Sequence, residues 1–211
     1  HMKTRATAPV VAEVAAPTPL EILKAAITDG LSTPMELRAD INEALLQLER
    51  TCPTSTPAQS PLLNGVWSLK HAGSLAPGVI DSPTRALALS IYSSYSAGML
   101  SDLLRALPFS GGSLQDATVT ITSPEVGQPR VTTEVNISLF GQQQLVRFFC
   151  NLQPVSAVRM REIFIEGEAF GVRSLVPGPV SFSRQLFVTY LDDELLVLRD
   201  ESGVADVLVR K

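Results

Sequence analysis

Cysteine, histidine and clustered basic residues are all scarce in this chain, and each scarcity removes a class of function. Two cysteines, Cys52 and Cys150, are too few to staple 211 residues together, and they fit a reducing compartment. His1-Met2 reads as the remnant of an expression tag, which leaves His71 as the one native histidine. One imidazole and two distant thiols do not supply the three or four ligands of a zinc site. Nor is there a Gly-x-Ser-x-Gly elbow to present a nucleophile to that imidazole, so His71 is expected at an exposed strand end. A net charge of −4 without any Lys/Arg cluster excludes nucleic acid as a partner, because phosphate binding is driven by grouped cations. Charged residues make up only 18% of the chain, yet no stretch approaches the roughly 18 uninterrupted apolar residues that a membrane-spanning helix needs.

The remaining chemistry-bearing motifs read as ordinary structure. Gly111-Gly112 precedes a strand and is not followed by Lys-Ser or Lys-Thr, so it is no phosphate cradle. Asp192-Asp193-Glu194 is too short for a calcium loop and suits a solvated turn. Glu166 and Glu168 flank Gly167, but nothing nearby would split their pKa values for acid-base work. Asn136-Ile137-Ser138 spells a glycosylation sequon on a chain without a secretory signal. No catalytic residue, metal site or cofactor is expected.

What is present is organised in four parts. Residues 1–17, rich in Ala, Val and Pro, read as a disordered leader of the kind left after a transit peptide is trimmed. Residues 18–50 read as a helical hairpin. Thr18-Pro19-Leu20-Glu21 and Thr33-Pro34-Met35-Glu36 each place Thr at the cap, Pro at the first helical position and Glu three residues on. Leu20, Leu23 and Ile27 form one stripe, ending at Gly30, and Leu37, Ile41, Leu45 and Leu48 form the other. Residues 51–61 carry too many prolines for helix or ladder and are expected as an extended, exposed linker that joins the hairpin to the body without fusing them.

From residue 62 to 211 the period changes to two. Val131, Thr133, Val135, Ile137 and Leu139 alternate with Thr132, Glu134, Asn136 and Ser138, and Gly141-Gln142-Gln143 turns into Leu145–Cys150. Further strands are expected over Gly65–His71, Ala117–Thr122, Val155–Glu166, Gln185–Leu191, Leu195–Arg199 and Ala205–Val209. Many short strands with polar turns imply an antiparallel meander closed into a β-barrel, since closure removes exposed edges. Ser82–Leu107 mixes the two periods and is read as strand, then helix.

Two blocks carry a resemblance. Leu45–Arg50 leads through the proline segment to Pro61-Leu62-Leu63-Asn64-Gly65-Val66-Trp67-Ser68-Leu69, and Phe187-Val188-Thr189-Tyr190-Leu191-Asp192-Asp193-Glu194-Leu195 is followed by Arg199, Asp200 and Gly203. In this order they resemble the plastid lipid-associated protein (fibrillin, plastoglobulin) family over roughly residues 20–211. Leu196 departs from the family's arginine at that position. The resemblance implies a mainly β fold, a lipocalin-like antiparallel β-barrel preceded by the helical hairpin. It implies a plastid (chloroplast) protein of plastoglobule, thylakoid or stroma that binds prenylquinones, carotenoids or fatty acids, is not an enzyme, and has a prenylquinone-biosynthesis enzyme as a possible partner.

Alternation points Trp67, Leu69, Val119, Ile121, Val135, Ile137, Phe148 and Phe164 inward, and Tyr190 of the second block joins them as candidate cavity lining. Singly each is read as core, with Trp67 plugging one end; as a set they mark where a hydrophobic ligand would go. Arg159 and Arg161 share one strand face and, with Arg199, are the candidates for a lipid head group. The competing expectation is a filled barrel that coats a lipid surface through Leu100–Phe109 or docks an enzyme.

Overall fold

The computed structural model describes residues 17–27, 37–72, 112–139, 141–169, 171–175 and 183–211. The expectations for the leader, for Gly30, for the capping box Thr33–Glu36, for Ser82–Leu107 and for Leu100–Phe109 lie outside them. Helix α1 spans Pro19–Ala26 and α2 spans Arg38–Glu49. The α1 capping box forms: Glu21 N donates to Thr18 Oγ1 at 3.3 Å, and Thr18 N donates back to Glu21 Oε2 at 2.7 Å. The Thr18 N–H, and then its hydroxyl, donate to the Glu21 carboxylate and hold its pKa below the usual value.

Among the described residues nine strands follow: β1 Gly65–Ala72, β2 Gly112–Ile121, β3 Val131–Leu139, β4 Gln142–Pro154, β5 Arg159–Ala169, β6 Val172–Leu175, β7 Ser183–Leu191, β8 Leu195–Asp200 and β9 Ala205–Arg210. Their order is β4-β3-β2-β1-β9-β8-β7-β5, and β4 pairs with β5 to close an eight-stranded antiparallel barrel. β6, unforeseen in the sequence, pairs with the C-terminal half of β5 while β7 takes the N-terminal half. Val155–Val158, expected within a strand, is instead the β4–β5 turn, where Val155 N and Ser156 N both donate to Arg159 O.

The helices do not hang from a tether. Leu23, Ala26, Ile41, Ala44, Leu45 and Leu48 are buried against Tyr190, Leu195, Val197, Ala205 and Val207 on the outer wall of β7, β8 and β9. Leu23, Ile41 and Leu45 are fully buried, each worth about 1.5–3 kcal/mol of apolar burial. This is why β8 is buried on both faces: Leu196 and Leu198 face the barrel, Leu195 and Val197 the helices. Leu196, where the family has an arginine, is core.

The proline-rich segment is likewise not the extended, exposed linker expected. Its prolines start two 3₁₀ turns, Pro57–Gln59 and Pro61–Leu63, because proline suits the first position of a turn as well as it disrupts a ladder. Ala58 and Leu63 enter the barrel core, Ala58 N donates to Ala157 O, and Thr54 Oγ1 donates to Leu191 O at 2.7 Å. These turns close the end of the barrel where β1 begins.

Trp67 fills that end. It is fully buried, its Nε1 donates to Leu63 O at 3.0 Å, and the Arg210 guanidinium lies 4.1 Å from its ring centroid. Arg210 also donates to Asn64 O, Leu62 O and Asp193 O, so it clamps the 3₁₀ turn and the β7–β8 turn onto the tryptophan. Gly65 makes room: its φ is +145°, and a Cβ there would collide with Arg210 Nη1.

Candidate functional site

Above Trp67 lies a cavity to which all eight barrel strands contribute. Leu69, Val119, Ile121, Phe148 and Phe164 line it, as alternation requires. Trp67, Val135 and Ile137 belong to the same interior core without bordering the void. Phe148 and Phe164 meet edge to face with centroids 6.4 Å apart, and Phe148 is only half-buried.

Tyr190 does not line the cavity. A bulge between Val188 and Tyr190 inserts one residue into the alternation, so Val188 and Leu191 face inward while Tyr190 turns out beneath the helices. There its hydroxyl donates to Asp192 Oδ2 at 2.7 Å, and burial together with that carboxylate pushes the phenol pKa up. His71 is also not the exposed strand-end residue expected: it is buried, and the bulge after Leu69 sets it opposite Val207 on the wall the helices cover.

The three arginines proposed for a head group do not converge. Arg159 and Arg161 are exposed on the outer face of β5. Arg199 on β8 is held by Glu49 of α2, through Nε–Oε1 at 2.7 Å and Nη2–Oε2 at 3.1 Å. Glu166 and Glu168 are likewise engaged on the outer face, by Arg173 and Arg147.

Sequence reasoning missed a charged group inside the barrel. Glu162 on β5, Arg184 on β7 and Asp206 on β9 line the cavity among leucines and phenylalanines. Arg184 Nε donates to Glu162 Oε2 at 2.5 Å, with the two side chains 18% and 5% exposed, and the guanidinium faces the Phe164 ring at 5.9 Å. Burial works against the Arg184 charge, but Glu162 and then Asp206 outweigh it and hold its pKa above the ordinary value. Cys150, beside Glu162, has its thiol pKa pushed far up by burial and by that carboxylate. The signal was available: Glu162 shares parity with Phe164, Arg184 with Leu186, and Asp206 with Leu208. A buried ion pair contributes little net stability, because desolvation offsets the Coulomb attraction, so the fold alone does not account for this one.

The cavity has a volume of about 50 Å³. That is room for a few water molecules at ~10–15 Å³ each, well below the ~300–1,000 Å³ of drug-sized sites. An open groove of about 480 Å³ runs outside the barrel between Glu49, Arg50 and Cys52 on one side and Phe187 and Thr189 on the other. Among the described residues, no His, Cys, Asp and Glu side chains form a group able to hold a metal ion, and no helix is long and apolar enough to cross a membrane.

A closed eight-stranded antiparallel barrel with an apolar-walled cavity and helices on its outer wall is a lipocalin-like barrel. No family model and no solved structure matches the chain. It is 25% identical over 205 residues to the chloroplastic Arabidopsis thaliana protein named "Probable plastid-lipid-associated protein 9", covering 88% of this chain and 64% of that protein. For its namesake numbered 13 the figures are 26% over 201 residues, 88% and 66%, and for chloroplastic plastoglobulin-1 of Pisum sativum 26% over 215 residues, 88% and 60%. Over most of its length the chain is thus similar to chloroplastic proteins named as plastid-lipid-associated proteins or plastoglobulin. It spans just under two thirds of the length of these relatives.

Proposed function

We propose that this chain is a plastid lipid-associated barrel, residing at plastoglobule, thylakoid or stroma, that takes one slender hydrophobic molecule into its interior. Prenylquinones, carotenoids and fatty acids are the candidate classes. The observation that carries the reading is a largely apolar cavity inside a closed barrel, with a buried Glu162–Arg184 pair at its wall. Its small volume sets the manner of uptake: a ligand-sized guest enters by displacing side chains, and half-buried Phe148 is a large lining side chain whose movement would widen the space. Burial of apolar chain at roughly 25 cal/mol per Å² then drives binding. Native mass spectrometry and fluorescence displacement with the three ligand classes test this. Wild type should bind at least one class, and Phe148→Ala, which enlarges the cavity, should bind it more tightly. No binding by either protein ends the carrier reading.

The same small volume favours a second reading, in which the barrel is a filled scaffold that coats a plastid lipid surface or docks a prenylquinone-biosynthesis enzyme. The open groove beside α2 is where such a docking partner would sit. Flotation with vesicles of plastid lipid composition separates the two: a scaffold floats with vesicles yet takes up no monomeric lipid, whereas a carrier takes it up in solution.

A further inference from the structure

On the carrier reading above, we infer that the barrel selects a guest whose polar end is an uncharged hydroxyl or phenol and rejects one that ends in a free carboxylate. The cavity wall carries two carboxylates, Glu162 and Asp206, and a single guanidinium, Arg184. Arg184 is already bound to Glu162 at 2.5 Å and lies in the field of Asp206. An entering carboxylate would have to compete with Glu162 for that guanidinium while sitting beside two like charges at a largely apolar wall, where such a juxtaposition is strongly disfavoured.

A neutral hydroxyl meets no such opposition. It donates to either carboxylate without displacing the ion pair, and a hydrogen bond to a charged acceptor is among the stronger ones. The surrounding wall, formed by residues such as Leu198, Leu208 and Phe164, offers the attached chain only apolar contact. The charged group thus decides the head, and the wall accepts any chain of suitable girth. Within the candidate classes, quinols and hydroxylated carotenoids are favoured over free fatty acids.

The test compares two guests of equal chain length, hexadecanol and hexadecanoate, by fluorescence displacement at neutral pH, with native mass spectrometry to count bound molecules. Hexadecanol should bind at least about tenfold more tightly to the wild-type protein. Glu162→Gln should narrow that gap. Asp206→Asn, which leaves the Glu162–Arg184 pair intact, should narrow it too and carries the test if the first variant does not fold. The inference is overturned, with the carrier reading still standing, if hexadecanoate binds as tightly as hexadecanol or if the gap is unchanged in the folded variants. If wild type binds neither guest nor any of the three ligand classes, the carrier reading itself has failed and this inference falls with it.

Discussion

Glu49, the last residue of α2, grips Arg199 of β8 with both carboxylate oxygens, and its Oε1 also accepts the Thr189 hydroxyl of β7 at 2.7 Å. One carboxylate therefore joins the helical layer to two barrel strands. The pair is mostly buried, with side chains 21% and 14% exposed. Arg199→Ala or Glu49→Ala should lower the urea unfolding free energy by about 1–3 kcal/mol. Arg199→Lys should recover only part of that, because an ammonium cannot reproduce the two-pronged contact. Lipid uptake should be unchanged; a variant that folds normally but loses uptake would return Arg199 to the binding site.

If the helices form one body with the barrel, their apolar contacts matter as much as barrel core. Ile41→Ala and Leu45→Ala should each cost about 2–5 kcal/mol in the global unfolding transition. A chain beginning after Arg50 should aggregate or melt at much lower temperature, since Tyr190, Leu195, Val197, Ala205 and Val207 lose their cover. Near-neutral effects would mean that the helices are a dispensable attachment.

The closed end makes a spectroscopic prediction, because Trp67 is the one tryptophan in the chain. Its emission should be blue-shifted and resistant to acrylamide. Gly65→Ala places a methyl group against Arg210 at a backbone angle that favours glycine, at a cost of about 1–3 kcal/mol. It should dislodge the guanidinium and make Trp67 quenchable. An unaltered spectrum would show that Arg210 does not seal the end.

The two thiols should differ sharply in reactivity. Cys52 is half-buried on the outer wall, while Cys150 is buried beside Glu162 with its thiolate strongly disfavoured. In the native protein Ellman's reagent should modify Cys52 first, and Cys150 only at the rate of unfolding. Equal rates would contradict the burial of Cys150.

Tyr190 sets a limit at alkaline pH. Its folded-state pKa is raised, so the neutral phenol is the form the fold favours. The stability it contributes is fully present below the unfolded value near ~10 and is lost as pH rises through the folded one. Tyr190→Phe should remove the bond to Asp192, cost about 1 kcal/mol near neutrality, and lessen the fall in stability above that pH. Denaturant titrations across the alkaline range read out both effects.

Features governed by neighbours in the chain are legible in the order of residues alone. The Thr18 capping box, the alternation of β3, the polar turns and the inward set Leu69, Val119, Ile121, Phe148 and Phe164 all depend on periods of two or about 3.6 residues and on caps closed within four. Tertiary structure decided the rest. Tyr190 changed sides because one inserted residue at a bulge reverses parity, and a strand's own pattern does not announce where that insertion falls. Arg199 became a clamp for α2 because the helices pack on β8. The charged group assembled because closure brings β5, β7 and β9 around one space. Even the width of that space belongs to no segment: it is what remains after side chains from eight strands have met, and only their packing in three dimensions determines it.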